Sequence, residues 1–207
     1  MVTVAEAGMG RLRSVVGALL VAALSANVAA ADRAPDKIVA ERCRDCHGPA
    51  GRSGNPDFPK LAGQNADYLT RQLANFKTGV RTSKAMQQEV AALTGGEMRA
   101  LALYFSAKEI GAEAVADRAQ AEIGRKLYFS GNPANGVTAC ITCHGPEGRG
   151  AMYLPRLAGQ HAKYLAAQLH AFREQSRVSA GLVMHTVVKN VTDAEIAAVT
   201  QFLSGMK

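Results

Sequence analysis

Two five-residue runs constrain this chain more than anything else in it. Cys43-Arg-Asp-Cys46-His47 and Cys140-Ile-Thr-Cys143-His144 hold all 4 cysteines of the 207 residues, and each pair is followed at once by a histidine. Three chemistries use thiols at this spacing. A thioredoxin-like redox pair needs a βαβ setting and has no use for the trailing His. No stretch here alternates with period two for long enough to make that sheet. A zinc site needs its second pair about 15–20 residues on, and 93 residues separate Cys46 from Cys140.

Covalent attachment of a c-type haem is the reading that remains. Two thiols three residues apart on a helical turn reach two vinyl groups, and the adjacent imidazole turns onto the iron. Cys43, Cys46, Cys140 and Cys143 are then the attachment points, with His47 and His144 as proximal ligands. The composition agrees. The chain has no Trp and only 6 Phe and 5 Tyr, which is little material for the cores of two small domains. Two porphyrins would supply large flat apolar bodies in their place.

The rest of the chain is also written twice. Pro59-Lys-Leu61-Ala-Gly63-Gln64 returns as Pro155-Arg-Leu157-Ala-Gly159-Gln160. Tyr68-Leu69, Gln72-Leu73 and Phe76 return as Tyr164-Leu165, Gln168-Leu169 and Phe172, each set on one face of an amphipathic helix. Thr94 to Glu97 and Thr192 to Glu195 are capping boxes that open a last helix in each copy. Those helices present Met98, Leu101 and Phe105 in one copy and Ile196, Val199 and Leu203 in the other. A period this long marks two duplicated domains rather than a solenoid. The expected fold is all-α, with domains at 32–106 and 117–207 and a linker at 107–116.

The first 31 residues have the plan of an export signal. Arg11 and Arg13 precede an apolar run from Val15 to Leu24, and Ala29 and Ala31 form an A-x-A site before Asp32. Met9 is an alternative start to Met1, and an uncleaved anchor is the competing reading. Cleavage would remove Arg11, Arg13 and Glu6 and take the net charge from +7 to +6. The remaining positive residues are scattered, which argues against nucleic acid as a partner. Four haem propionates would absorb most of that excess.

With the two CxxCH runs and the repeated Pro-x-Leu-Ala-Gly-Gln and Tyr-Leu-x-x-Gln-Leu segments, the chain resembles class I cytochromes c, and specifically the diheme cytochrome c4 family. The resemblance covers essentially all of 32–207. It implies two tandem cytochrome c domains, each wrapped around one covalently bound haem c. It also implies a methionine before each final helix as the second axial ligand. Met86, in the loop region before its capping box, lies 39 residues after His47, and Met184 lies 40 after His144. Met98 reads as core, Met152 is too near His144, and Met206 is at the terminus. Metal ligands are thus expected at His47, Met86, His144 and Met184, with His185 as the nearest rival. His161 and His170 read as surface helix positions without counterparts in the first copy. Pro59 and Pro155 match the family proline whose carbonyl accepts from the proximal imidazole. Arg81 and Arg177 are either propionate partners or solvated surface residues. Two departures weaken the first domain: a short helix before Cys43, and Gly95-Gly96 at the start of its last helix.

The implied function is a periplasmic diheme carrier passing single electrons between respiratory partners, such as a bc1-type donor and a terminal oxidase. It is an electron carrier and not an enzyme, because His/Met ligation leaves no open position for substrate. The alternative is the diheme cytochrome subunit of an oxidoreductase, for example a sulfide-oxidising flavocytochrome or another dehydrogenase. A diheme enzyme such as a peroxidase ranks third. The processed protein is expected to be soluble, with any membrane association arising through its partners.

Overall fold

The computed structural model describes residues 1–3 and 32–207, so the export-signal reading lies outside the described residues. From Asp32 onward the chain is helical. Among the described residues the only β-pairing is two isolated bridges, Asn132 with Val137 and Ala151 with Leu154.

In the first repeat, α1 (Pro35–Ile38) runs through a π-helical turn (Val39–Cys43) into α2 (Arg44–His47). Then follow α3 (Ala66–Lys77), α4 (Lys84–Val90) and α5 (Gly95–Ser106). In the second, α6 (Arg118–Ser130) is separated by a bridged loop from α7 (Ile141–His144), then α8 (Ala162–Arg173), α9 (Val183–Val188) and α10 (Asp193–Gly205). Each repeat has its own apolar core. Ile38, Leu69, Val90, Met98, Leu101 and Phe105 form the first, and Leu127, Leu165, Val188, Ile196, Val199 and Leu203 the second. Met98 is core, as its helical register implies.

Both capping boxes close. Thr94 accepts from Glu97 N–H at 3.0 Å while the Glu97 carboxylate accepts from Thr94 N–H at 3.0 Å. Thr192 and Glu195 repeat the exchange at 3.2 and 2.8 Å. The expected weakness at Gly95-Gly96 is offset by the segment that precedes α1. Arg33 donates Nε to Glu97 at 2.7 Å, and Thr94 Oγ1 donates to the Asp32 carboxylate at 2.5 Å. A Cβ on Gly96 would collide with that Asp32 carboxylate, so the glycine makes room for the contact. In the second repeat the tight approach is elsewhere. Gly124 of α6 lies against the backbone of Ala198 and Val199 in α10, where no Cβ would fit.

The repeats meet through reciprocal contacts. The Gln160 side chain accepts from Lys60 N–H at 2.9 Å and donates to Lys60 O at 2.8 Å. Gln64 does the same to Arg156, at 2.7 and 2.9 Å. Asn65 Nδ2 donates to Arg149 O at 3.1 Å, and at the matching position His161 Nε2 meets Ser53 O at 2.9 Å. The stretch after α5 runs along this seam. Lys60 Nζ donates to Gly111 O at 3.0 Å and Gly159 O at 2.9 Å and pairs with Glu113 at 3.3 Å. His161 Nδ1 also meets Glu113.

His161 therefore departs from its expected surface position. It is only 3% exposed, and Asn65 is its counterpart in the first repeat, contrary to the sequence expectation. The two residue types differ enough to hide the correspondence in sequence. His170 does remain partly exposed, with Arg173 donating to its Nδ1 at 3.0 Å.

Candidate haem sites

Helices α2 and α7 end at the two histidines, each terminated by a glycine with positive φ, Gly48 and Gly145. The chain turns away there and returns as the proline loop. His47 Nδ1 then donates to Pro59 O at 2.9 Å, and His144 Nδ1 to Pro155 O at 3.0 Å. Burial lowers the pKa of both imidazoles, with the proline carbonyls acting the other way. A neutral ring that donates from Nδ1 leaves the Nε2 lone pair for a metal.

These residues border a connected cavity of about 970 Å³ with walls from both repeats. Cys43, Cys46, Cys140 and Cys143 line it, and none is in a disulfide. Desolvation pushes the Cys43 and Cys140 thiols up to about 11. Met86 and Met184 also line it. Neither stands in a loop, contrary to the sequence reading of Met86. Each occupies the start of a short helix, α4 or α9, with its N–H tied to a serine hydroxyl, Ser83 at 3.4 Å and Ser179 at 3.1 Å. Seven- and six-residue helices show too few periodic positions to be legible in sequence. His185, the rival ligand, directs Nε2 to Arg177 O at 2.6 Å.

Arg81 and Arg177 are not solvated surface side chains. Arg81 donates to Gln72 of its own repeat and to Tyr164 and Gln168 of the other, each at 2.9 Å. Arg177 donates to Gln168 at 2.5 Å, to Tyr68 at 2.8 Å and to Gln72 at 3.3 Å. Arg177 is 8% exposed and borders the cavity, and its Nε has no hydrogen-bond partner. Burial pushes the Tyr164 phenol up, but the two guanidiniums prevail and hold its pKa below the ordinary value. This corner of the cavity favours negative charge. Paired thiols, a neutral imidazole, an apolar wall and a cationic corner with a spare donor fit a haem with its propionates. Sequence reasoning missed the tyrosine and glutamine partners, because on a helix face they read as ordinary amphipathic positions.

The family model for "Cytochrome C oxidase, cbb3-type, subunit III" matches residues 30–105, and that for "Cytochrome c" matches residues 121–207. Cytochrome c4 of Azotobacter vinelandii is 38% identical over 194 residues, which cover 86% of this chain and 90% of that protein. The thiosulfate dehydrogenase electron acceptor of Thiomonas intermedia is 40% identical, over 80% of this chain and 78% of its own length. Reduced recombinant cytochrome c4 from Pseudomonas stutzeri superposes with a TM-score of 0.78 at 35% identity, covering 86% of this chain and 100% of that one. Fold and site together define a tandem c-type cytochrome with two covalently bound haem c groups, an electron carrier and not an enzyme. The chain belongs to the cytochrome c4 family.

Proposed function

We propose that this diheme cytochrome works outside the cytoplasm as a shuttle, with His47 and Met86 binding one iron and His144 and Met184 the other. When bound, each haem supplies an iron that takes up and releases one electron. The protein's part is to keep that exchange outer-sphere. The proline carbonyls fix tautomer and ring direction, and the cavity walls exclude water. Thioether ligation favours the reduced form, and Arg81 and Arg177 hold the propionates. The observation that carries the reading is the near-identical pair of His–Pro contacts, with a helix-borne Met lining the same cavity in each repeat.

A bc1-type donor and a terminal oxidase suit such a carrier, and the export signal read in residues 1–31 gives it a periplasmic address. Among the described residues no helix is long and apolar enough to cross a membrane. A second reading, acceptor or subunit for a dehydrogenase, is favoured by the likeness to the Thiomonas intermedia protein.

Substitution at the methionines tests the ligand set. Met184→Ala should remove the near-infrared sulfur-to-iron band of one haem and lower its potential, and Met86→Ala should do the same to the other. His185→Ala should leave both bands in place. Carbon monoxide should bind the reduced native protein slowly and weakly. Loss of the band in His185→Ala, or rapid stoichiometric carbon monoxide binding, would defeat the assignment.

A further inference from the structure

The carbonyl that orients each proximal histidine belongs to a peptide group held on its other edge by the opposite repeat. Pro59 O and Lys60 N–H lie on one planar peptide unit. The oxygen accepts from His47 Nδ1 at 2.9 Å, while the N–H donates to Gln160 Oε1 at 2.9 Å. The unit between Pro155 and Arg156 does the same, accepting from His144 Nδ1 at 3.0 Å and donating to Gln64 Oε1 at 2.7 Å. Each glutamine closes its ring by donating Nε2 to the next carbonyl, Lys60 O or Arg156 O. Gln64 and Gln160 are 7% and 4% exposed, so little water competes for these bonds.

An amide whose N–H is hydrogen-bonded polarises along its C–N–C=O system, and its oxygen becomes a stronger acceptor. A stronger acceptor at Nδ1 makes the imidazole a more basic ligand, which stabilises the oxidised metal. We infer that Gln160 and Gln64 are positioning residues that act in trans, Gln160 setting the potential of the first repeat's haem through His47 and Gln64 that of the second through His144. Each glutamine thus tunes the haem it does not belong to. The inference rests on His47 and His144 being the iron ligands.

The test uses the full diheme protein. Gln160→Met keeps the volume and removes both hydrogen bonds to Lys60 together with the one from His161 N–H. Gln64→Met does the same on the other side, where Asn65 N–H is the neighbour, and Gln160→Glu restores the acceptor alone. Redox titration is followed through the haem-methyl NMR signals, assigned to each repeat with Met184→Ala. Gln160→Met should raise the midpoint of the first repeat's haem and leave the second in place. Gln64→Met should give the mirror result, and Gln160→Glu should bring the first midpoint back down to or below the native one. A shift in the glutamine's own repeat, an equal shift in both, or two unmoved midpoints would overturn the inference. If one methionine variant fails to accumulate, the other carries the same comparison. A native protein without two His/Met low-spin spectra would instead defeat the ligand reading, before any glutamine variant is compared.

Discussion

Glu97 is 3% exposed, yet its pKa is pulled down to about 2 from an ordinary 4.5. The Arg33 guanidinium is the main cause, followed by the Thr94 N–H, with burial opposing both. A carboxyl held below its unfolded value contributes stability that is complete above that value and is lost as pH falls toward the folded one. The first repeat should therefore weaken between pH 4.5 and about 2. Glu97→Gln should be less stable at neutral pH and flatter across that window. Denaturant unfolding of both proteins at a series of pH values checks this, and parallel pH profiles would contradict it. At this scale the sequence was informative where a residue type carries its own chemistry. The thiols, the trailing histidines and the Thr-x-x-Glu boxes could be read directly. His161 could not, because nothing in a lone histidine after Gln160 shows that Ser53 and Glu113 fold against it.

The packing of α6 on α10 differs in kind from that of the segment before α1 on α5. Gly124 meets main-chain atoms of Ala198 and Val199, which cannot yield, whereas Gly96 meets the end of the Asp32 side chain, which can. Gly→Ala on a helix gains up to about 1 kcal/mol of propensity. Overpacking costs roughly 1–3 kcal/mol and falls toward the upper end when the clash is with backbone. Gly124→Ala should accordingly lower the stability of the second repeat by about 1–2 kcal/mol net, while Gly96→Ala should be close to neutral. Thermal unfolding of the two variants tests the contrast, and a Gly124→Ala protein as stable as the native one would mean that the crossing tolerates a Cβ. The long helices α3, α8 and α10 were legible from periodic apolar positions. The π-helical turn before Cys46 and the short α4 and α9 were not, since their form is imposed by packing beside the cavity.

Across the whole molecule the seam is polar and largely buried. Lys60 is 8% exposed and its ammonium joins Gly111, Gly159 and Glu113. Lys60→Met would leave two carbonyls and a carboxylate without that partner. Because Glu113 is a third exposed, water recovers part of the loss. A cost on the order of 2 kcal/mol follows, borne by the contact between repeats rather than by either core. Native protein should unfold in one transition at both haems, and Lys60→Met should separate it into two. A single transition shifted to lower temperature would place the cost inside one repeat instead. This seam was the least legible feature of the fold. Gln64 and Gln160 recur in sequence, but recurrence alone does not reveal that each side chain reaches into the other copy.

That crossed arrangement also bears on how the protein can change. Two separate identical subunits would carry every such contact in matched pairs, and one codon change would alter both ends of the assembly. In a single chain the two ends are encoded separately. Lys60 already stands opposite the place held by Arg156, and Asn65 opposite that held by His161. Inequality between the two metal sites is thus inheritable one side chain at a time, and each change leaves its mark on the neighbouring half.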